Sequence, residues 1–441
     1  MSHYKYTIRD YHAIELANIM LDGITVVSGE NGCGKSTLSR WLYYLVNGAS
    51  RFDFFLYQDF ISSLQREFNY LGAVYQDLRM TMASTPSSLI YDGKRRLEEL
   101  MASDSEDNLH QAMIVYHNTL DRFGVVLSDY LKGNYPKASK DRALKFLGID
   151  RGSSLPAHQR VSDFIIRQKK SGEESQKRYL EAKDRRSQSE FFSQLKFHYD
   201  IREEIPEGKI ELEEDKVSLL KNRKVGYLYN LRRAIYVNTP MAVSEDMAVD
   251  NVFWEDLQKM MIYPVKGRER TKGEKKLIIR LQKLIKGSVT AEKDDFDQLE
   301  LRYKREDGLD IKLDDVATGM KTFSYILRLI ENGYLDDQTL LLIDEPEAHL
   351  HPQWVVEFAH ILVLLNKELG VKVMVASHHP NMVAAIQAIS EKEGVKDTTI
   401  FYIALSSDKP YKYVYGELGN NVEEIFRSFN FAYDKISQYG V

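Results

Sequence analysis

Gly29-Glu30-Asn31-Gly32-Cys33-Gly34-Lys35-Ser36-Thr37 is the stretch that decides how the chain is read. Gly29, Gly34, Lys35 and Ser36 fill the fixed positions of G-x-x-x-x-G-K-[ST], whose glycines let the backbone curl until several N–H groups face one anion. The helix that follows such a loop adds unpaired amides and the positive end of its dipole. In that frame Lys35 supplies a point charge for β- and γ-phosphates and Ser36 a hydroxyl for Mg²⁺, while Asn31, Gly32, Cys33 and Thr37 complete the cradle. The flanks agree. Ile24-Thr25-Val26-Val27 predicts a buried strand, and Leu38, Leu42 and Leu45 recur at helical spacing, with Asn47-Gly48 as the expected helix stop.

A phosphate loop needs an acidic partner, and Leu340-Leu341-Leu342-Ile343-Asp344-Glu345-Pro346 provides one at the end of an apolar run. An aspartate closing a buried strand can hold Mg²⁺ opposite Ser36. The adjacent Glu345 is placed to orient and deprotonate an attacking water. Residues 371–376 predict another strand, separated from the first by a helix over 353–368, and 398–404 adds one more. Such alternation predicts an α/β fold with a mixed, largely parallel sheet flanked by helices. Ligands bind outside the carboxyl ends of strands in sheets of this kind, which brings the loop and Asp344 to one edge.

Elsewhere the chain changes character. Short strands over 4–9 and 13–16 lead into the loop, then helical, highly charged sequence predominates, with helices expected over 93–101, 108–123 and 177–197. Alternation returns at Ala234-Ile235-Tyr236-Val237. The expected division is therefore a split head, 1–50 with 225–441, and a mainly helical insertion or lid over 51–224. Residues 265–287 form the most basic stretch, with Leu277, Ile278, Leu281, Leu284 and Ile285 on one helical face and cations on the other. Lys275, Lys276, Lys283 and Lys286 have two readings, a solvated face or a contact with DNA phosphates.

The totals bound the class. With 441 residues, 43% hydrophobic, the chain can bury an ample core, and a net charge of −5 leaves no global basic field. No uncharged run reaches the roughly 18 residues of a membrane span, and the N-terminus lacks the apolar core of a secretory signal. One cysteine, Cys33, rules out an intrachain disulfide. These features predict a soluble, cytoplasmic protein.

The stretch Leu340-Leu341-Leu342-Ile343-Asp344-Glu345-Pro346-Glu347-Ala348-His349-Leu350-His351-Pro352 resembles the Walker B and D-loop segment of ABC-type ATPases of the AAA family, in the branch that holds RecF-like, SMC-like and OLD-family proteins. Ala317-Thr318-Gly319-Met320-Lys321 stands where that family has its LSGGQ signature, and Ala376-Ser377-His378-His379-Pro380 resembles its switch-histidine segment. The resemblance implies a P-loop NTPase with an ABC-type head that binds ATP with Mg²⁺ and dimerises head to head. Each signature would then complete the other subunit's site. Thr318 would take the place of the signature serine at the γ-phosphate and Gly319 would supply a backbone donor. Lys321 either adds a charge there or is solvated. His378, rather than His379, would sense the γ-phosphate; the sequence does not identify the Q-loop glutamine, for which Gln58 and Gln76 are candidates without a clear strand before them. Glu347, His349 and His351 admit a metal-binding reading beside the D-loop one.

The long segment between loop and signature lies where SMC-like relatives insert coiled coils, but it lacks sustained heptads and predicts a helical lid. Too little chain follows His378 for an attached nuclease domain. In architecture this resembles the ATPase subunits of anti-phage systems of the Septu, retron-associated and PARIS types, which work with a separate nuclease. The alternatives are a RecF-like DNA-repair ATPase and a transporter energy-coupling subunit.

Overall fold

The chain opens with an antiparallel pair, β1 (Tyr4–Tyr11) and β2 (Ile14–Met20), and then β3 (Ile24–Ser28), which delivers the phosphate loop. Helices follow: α1 (Lys35–Thr81), α2 (Leu89–Leu100), α3 (Glu106–Lys132), α4 (Lys137–Phe146), α5 (Ala157–Arg185) and α6 (Gln188–His198). Strands β4 (Ile210–Glu214) and β5 (Val217–Ser218), a small hairpin of β6 (Leu220–Lys221) and β7 (Lys224–Val225), and β8 (Arg233–Val237) come next. The remainder holds α7 (Val252–Ile262), α8 (Lys272–Ile285), β9 (Gly287–Lys293), β10 (Leu299–Arg305), β11 (Asp310–Lys312), α9 (Thr318–Glu331), β12 (Thr339–Asp344), α10 (Pro352–Leu369), β13 (Lys372–Ala376), α11 (Pro380–Glu393), β14 (Thr399–Ser406) and β15 (Tyr413–Gly419). The computed structural model describes residues 2–81, 88–149, 155–238, 252–294, 297–348, 350–419 and 422–427.

The chain divides into two units, Met1–Ser50 with Leu195–Val441, and Arg51–Gln194. In the first, ten strands form one sheet in the order β5-β4-β1-β2-β15-β14-β3-β13-β12-β8. Its β14, β3, β13, β12 and β8 run parallel, whereas β5, β4, β1 and β2 pair antiparallel. Every residue of β3, β12 and β13 is buried, which is why these strands read as unbroken apolar runs. Each fully buried leucine, isoleucine or valine there contributes about 1.5–3 kcal/mol. In the second unit α3 packs on α2 and α5, and Phe68 of α1 stacks on Tyr116 of α3 with centroids 5.5 Å apart.

Several expectations need correction. The boundary expected at 224 falls at 194, because β4 pairs with β1 over Tyr4↔Glu214 to Ile8↔Ile210 and so completes the sheet. Asn47-Gly48 does not stop α1, which runs for 47 residues. Asn47 is buried, and instead of capping a helix its amide donates to Ala234 O (2.8 Å) and accepts from Ala234 N–H (3.0 Å). Gln58 and Gln76 both fall inside α1, so neither ends a strand as a Q-loop glutamine would. The helix expected over 177–197 breaks at Arg186, which turns left-handed (φ 44°), and Ser187 Oγ then accepts from Glu190 N–H at 3.2 Å to start α6. The β9–β10–β11 sheet and β15 correspond to no strand that the sequence pattern predicts. Among the described residues, no helix is long and apolar enough to cross a membrane.

Candidate active site

The loop between β3 and α1 folds as its glycines demand. Gly32 (φ 85°) and Gly34 (φ 101°) adopt backbone that L side chains avoid, and a Cβ on Gly34 would stand 2.8 Å from Ile14 Cγ1. Lys35 is buried, its Nζ donating to Gly29 O (2.8 Å) and Glu30 O (2.9 Å), so the ammonium lies along the loop's inner rim. Asn31, Gly32 and Ser36 are exposed, while Thr37 is buried. Cys33 points inward: its sulfur is buried 3.9 Å from Lys35 Nζ, and Tyr415 Oη donates to its carbonyl at 3.0 Å. Any ligand contact by Cys33 is therefore through its backbone.

Register brings the acidic residues to the same edge. Asp344 pairs with Ala376 across β12–β13, and Ala376 pairs with Val27 across β13–β3, so the loop, Asp344 and His378 all follow the carboxyl ends of adjacent parallel strands. Asp344 is 1% exposed. Ser39 Oγ donates to its Oδ1 (2.7 Å) and Tyr236 Oη to its Oδ2 (2.8 Å). Burial pushes its carboxyl above the usual range, opposed by hydrogen bonds from Ser39, Ser36 and Tyr236. Ser39, one turn beyond Lys35 on the helix that the loop opens, thus ties Asp344 to the phosphate loop's own helix and joins the two halves of the site.

Glu345 turns the chain sharply, with φ at +48°, a conformation that costs a non-glycine residue of order 1 kcal/mol or more. Its N–H, bonded to Ala376 O at 2.8 Å, holds that turn. The side chain remains partly exposed, and His378 Nδ1 stands 3.4 Å from its Oε1. His379 has other work: its Nδ1 accepts from Asn381 N–H (3.2 Å) and caps α11, while burial and the neighbouring His378 lower its pKa. His351 likewise caps α10 through Gln353 N–H (3.4 Å), and Glu347 accepts from Ser377 Oγ at 2.7 Å. The metal reading of Glu347 with these histidines finds no support in such engagements; His349 lies outside the described residues.

Thr318, Gly319 and Lys321 form the first turn of α9, partly exposed, with no side-chain cap from Ala317. Among the described residues no hydrogen bond or ion pair joins Gly319 or Lys321 to the loop of the same chain, while Met320 packs on the core. On α8, Leu277, Ile278, Leu281 and Ile285 are buried, and Leu284 is partly so. Lys276 pairs with Glu368 at 2.7 Å, and Arg280 with Glu357 at 3.0 Å. Lys275, Lys283 and Lys286 are exposed, with no ion pair among the described residues. Lys283 and Lys286 line a cleft of about 650 Å³ with Lys304 and Arg305.

Sequence reasoning passed over Ser39, Tyr236, Ser377 and the burial of Glu347. Ser39 sits one helical turn beyond Lys35, the single signal that could have pointed to it.

A family model described as "AAA domain, putative AbiEii toxin, Type IV TA system" matches residues 156–384, just over half of the chain. The chain belongs to this AAA-domain family. Thr318–Lys321, Asp344, Glu345 and His378 fall inside the matched segment, whereas the phosphate loop of this AAA-domain protein lies before it. No curated protein matches the chain. Among solved structures, an Smc head domain with an extended coiled coil bound to the C-terminal domain of ScpA, derived from Pyrococcus furiosus, is 11% identical, with a TM-score of 0.34 over 98% of this chain and 100% of that one. An SmcHead bound to the C-winged helix domain of ScpA is 12% identical, with a TM-score of 0.35 over 96% and 98%. The SMC head domain from Thermotoga maritima is 10% identical, with a TM-score of 0.26 over 47% and 64%. Likeness this loose assigns no role.

Proposed function

We propose that the chain binds and hydrolyses ATP, and that ATP draws two copies together head to head. The observation that carries this reading is the convergence of the phosphate loop and Asp344 at adjacent strand ends, tied by Ser39 of the loop's own helix, with Glu345 and His378 beside them. The donor set suits Mg²⁺, since a hydroxyl and a carboxylate are oxygen ligands of the kind this ion takes. Mg²⁺ held by Ser36 and Asp344 would supply positive charge to the phosphate oxygens. Lys35 leaves the carbonyls of Gly29 and Glu30 for the β- and γ-phosphates, and the loop amides hold the remaining phosphate oxygens. Glu345 accepts the proton of the attacking water, and His378 orients that water beside the γ-phosphate. Thr318 and Gly319, with Lys321 nearby, act across the dimer on the other copy's nucleotide.

In this reading hydrolysis is a switch, and the chain is the sensor or regulatory subunit of an anti-phage complex with a separate nuclease. Its family, whose description includes a putative toxin, is compatible with such a role. Lys35→Ala tests the site: ATP affinity should fall at least about 100-fold, or about 2.7 kcal/mol, by calorimetry. Unchanged affinity would remove the loop from the site.

A second reading, a RecF-like ATPase that clamps DNA, is favoured by Lys275, Lys283 and Lys286, on or just past α8, which are exposed and form no ion pair among the described residues. Reversing these with Lys276 should weaken DNA binding and flatten its salt dependence. Binding with an unchanged salt slope would leave the lysines as a solvated face.

A further inference from the structure

The turn after Asp344 buries a second carboxylate that the proposed reaction leaves unused. The Glu347 side chain is 4% exposed, and Ser377 Oγ donates to its Oε1 at 2.7 Å. Its Oε2 has no hydrogen-bond partner among the described residues. A buried carboxylate oxygen left unpaired carries its full desolvation penalty, so its presence asks for a reason. Beside this carboxylate stands His378, whose Nδ1 is also buried without a hydrogen bond, 3.9 Å from Glu347 Oε1, the oxygen that takes the Ser377 bond, and 3.4 Å from Glu345 Oε1. His379 does not compete for the place, because its own Nδ1 serves the cap of α11.

We propose that Glu347 is a positioning residue for His378: it accepts the ring's Nδ1–H and so leaves Nε2 as the atom that faces nucleotide. The inference rests on the ATPase reading for what His378 then does. A neutral imidazole has two tautomers and a rotatable ring, and a fixed carboxylate on one nitrogen selects a single arrangement. Two neighbouring glutamates divide the tasks by exposure. Glu345, 36% exposed, can reach a water and receive its proton. Glu347 is sealed from water and tied to Ser377, the residue that follows β13 and precedes His378. At 3.9 Å the pair lies about 1 Å beyond a hydrogen bond, and catalytic contacts of this kind tighten in the substrate complex.

The test is Glu347→Gln, which keeps an acceptor for Ser377 but presents a donor where the carboxylate oxygen was. Its kcat should fall about 10- to 100-fold with ATP affinity within about twofold of wild type, the size expected when a partner that orients a functional histidine is lost. Long-range ¹⁵N–¹H spectra of histidine-labelled protein with a non-hydrolysable ATP analogue give the second readout, His378→Ala identifying the signals. The ring should carry its proton on Nδ1 in wild type and lose that preference in the variant. Wild-type kcat or an unchanged ring pattern would overturn the proposal. If Glu347→Gln does not fold, Ser377→Ala frees the same carboxylate; it should lower kcat in the same direction, and an unchanged kcat is equally fatal. Glu345→Gln separates the failures. Hydrolysis absent from the wild type sinks the ATPase reading itself and hydrolysis retained in Glu345→Gln sinks the site as read, whereas hydrolysis lost there beside an unaffected Glu347→Gln sinks only the role of Glu347.

Discussion

In the unit built from Met1–Ser50 and Leu195–Val441, the buried hydroxyls and carboxylates around the loop converge: Ser39 and Tyr236 on Asp344, and Ser377 on Glu347 beside His378. In Arg51–Gln194 they are dispersed in small separate groups. Arg186 binds Asp53, Gln194 donates to Asp59 and Glu190, and Tyr116 and Ser171 both donate to Glu67. The difference follows from architecture. Parallel strands end along one edge, so polar groups just beyond their carboxyl ends meet one another. Helices touch along their lengths, so polar side chains pair wherever two faces cross. Convergence of this kind marks a place where chemistry is possible, and dispersed pairs mark staples between helices.

Substitutions in the two units should therefore fail differently. Glu345→Gln should retain ATP and lower kcat by about 10³-fold, within the range for loss of a general base, while trapping an ATP-dependent dimer. Rapid-quench kinetics with light scattering measure both; an oligomeric state indifferent to ATP would break the head-to-head model. Asp53→Ala removes the carboxylate that pairs with Arg186, whose side chain is 8% exposed, and Asp53 is itself 24% exposed. That partial exposure brings the expected loss of stability to about 2 kcal/mol, below the value for a fully buried pair. Urea unfolding should register it while ATP affinity stays at its wild-type value, and a loss of ATP affinity would erase the contrast between the units. Tyr236→Phe is the finer probe. Losing one hydroxyl from Asp344 should weaken Mg²⁺-dependent ATP binding by about 1.5 kcal/mol without changing the fold, as read by calorimetry and circular dichroism.

What the sequence conveyed depended on how deeply each element is buried. The strands β3, β12 and β13 announce themselves because burial on both faces requires continuous apolar residues. The half-exposed β9, which is mostly small and polar before Glu292-Lys293, and β10, which carries Glu300, Arg302, Lys304 and Arg305, have no continuous apolar run and resemble any charged segment. The length of α1 was hidden because Asn47-Gly48 reads locally as a stop, and only the pairing of Asn47 with Ala234 reveals another use. At the site, Lys35, Ser36, Asp344, Glu345 and His378 were nameable because motifs have spacing. Ser39, Tyr236 and Ser377 were not, since a lone hydroxyl in a helix, strand or turn has no pattern until register places it.

The central claim is that the loop at Gly29–Thr37 and the strand end at Asp344 hold one Mg²⁺·ATP between them. A double-mutant cycle of Ser36→Ala and Asp344→Asn, read as Mg²⁺·ATP affinity by calorimetry, tests it most directly. Residues serving one ion should couple by about 1 kcal/mol or more, the double variant losing less than the sum of the singles. Losses that add within about 0.5 kcal/mol would mean two independent sites and would contradict the account.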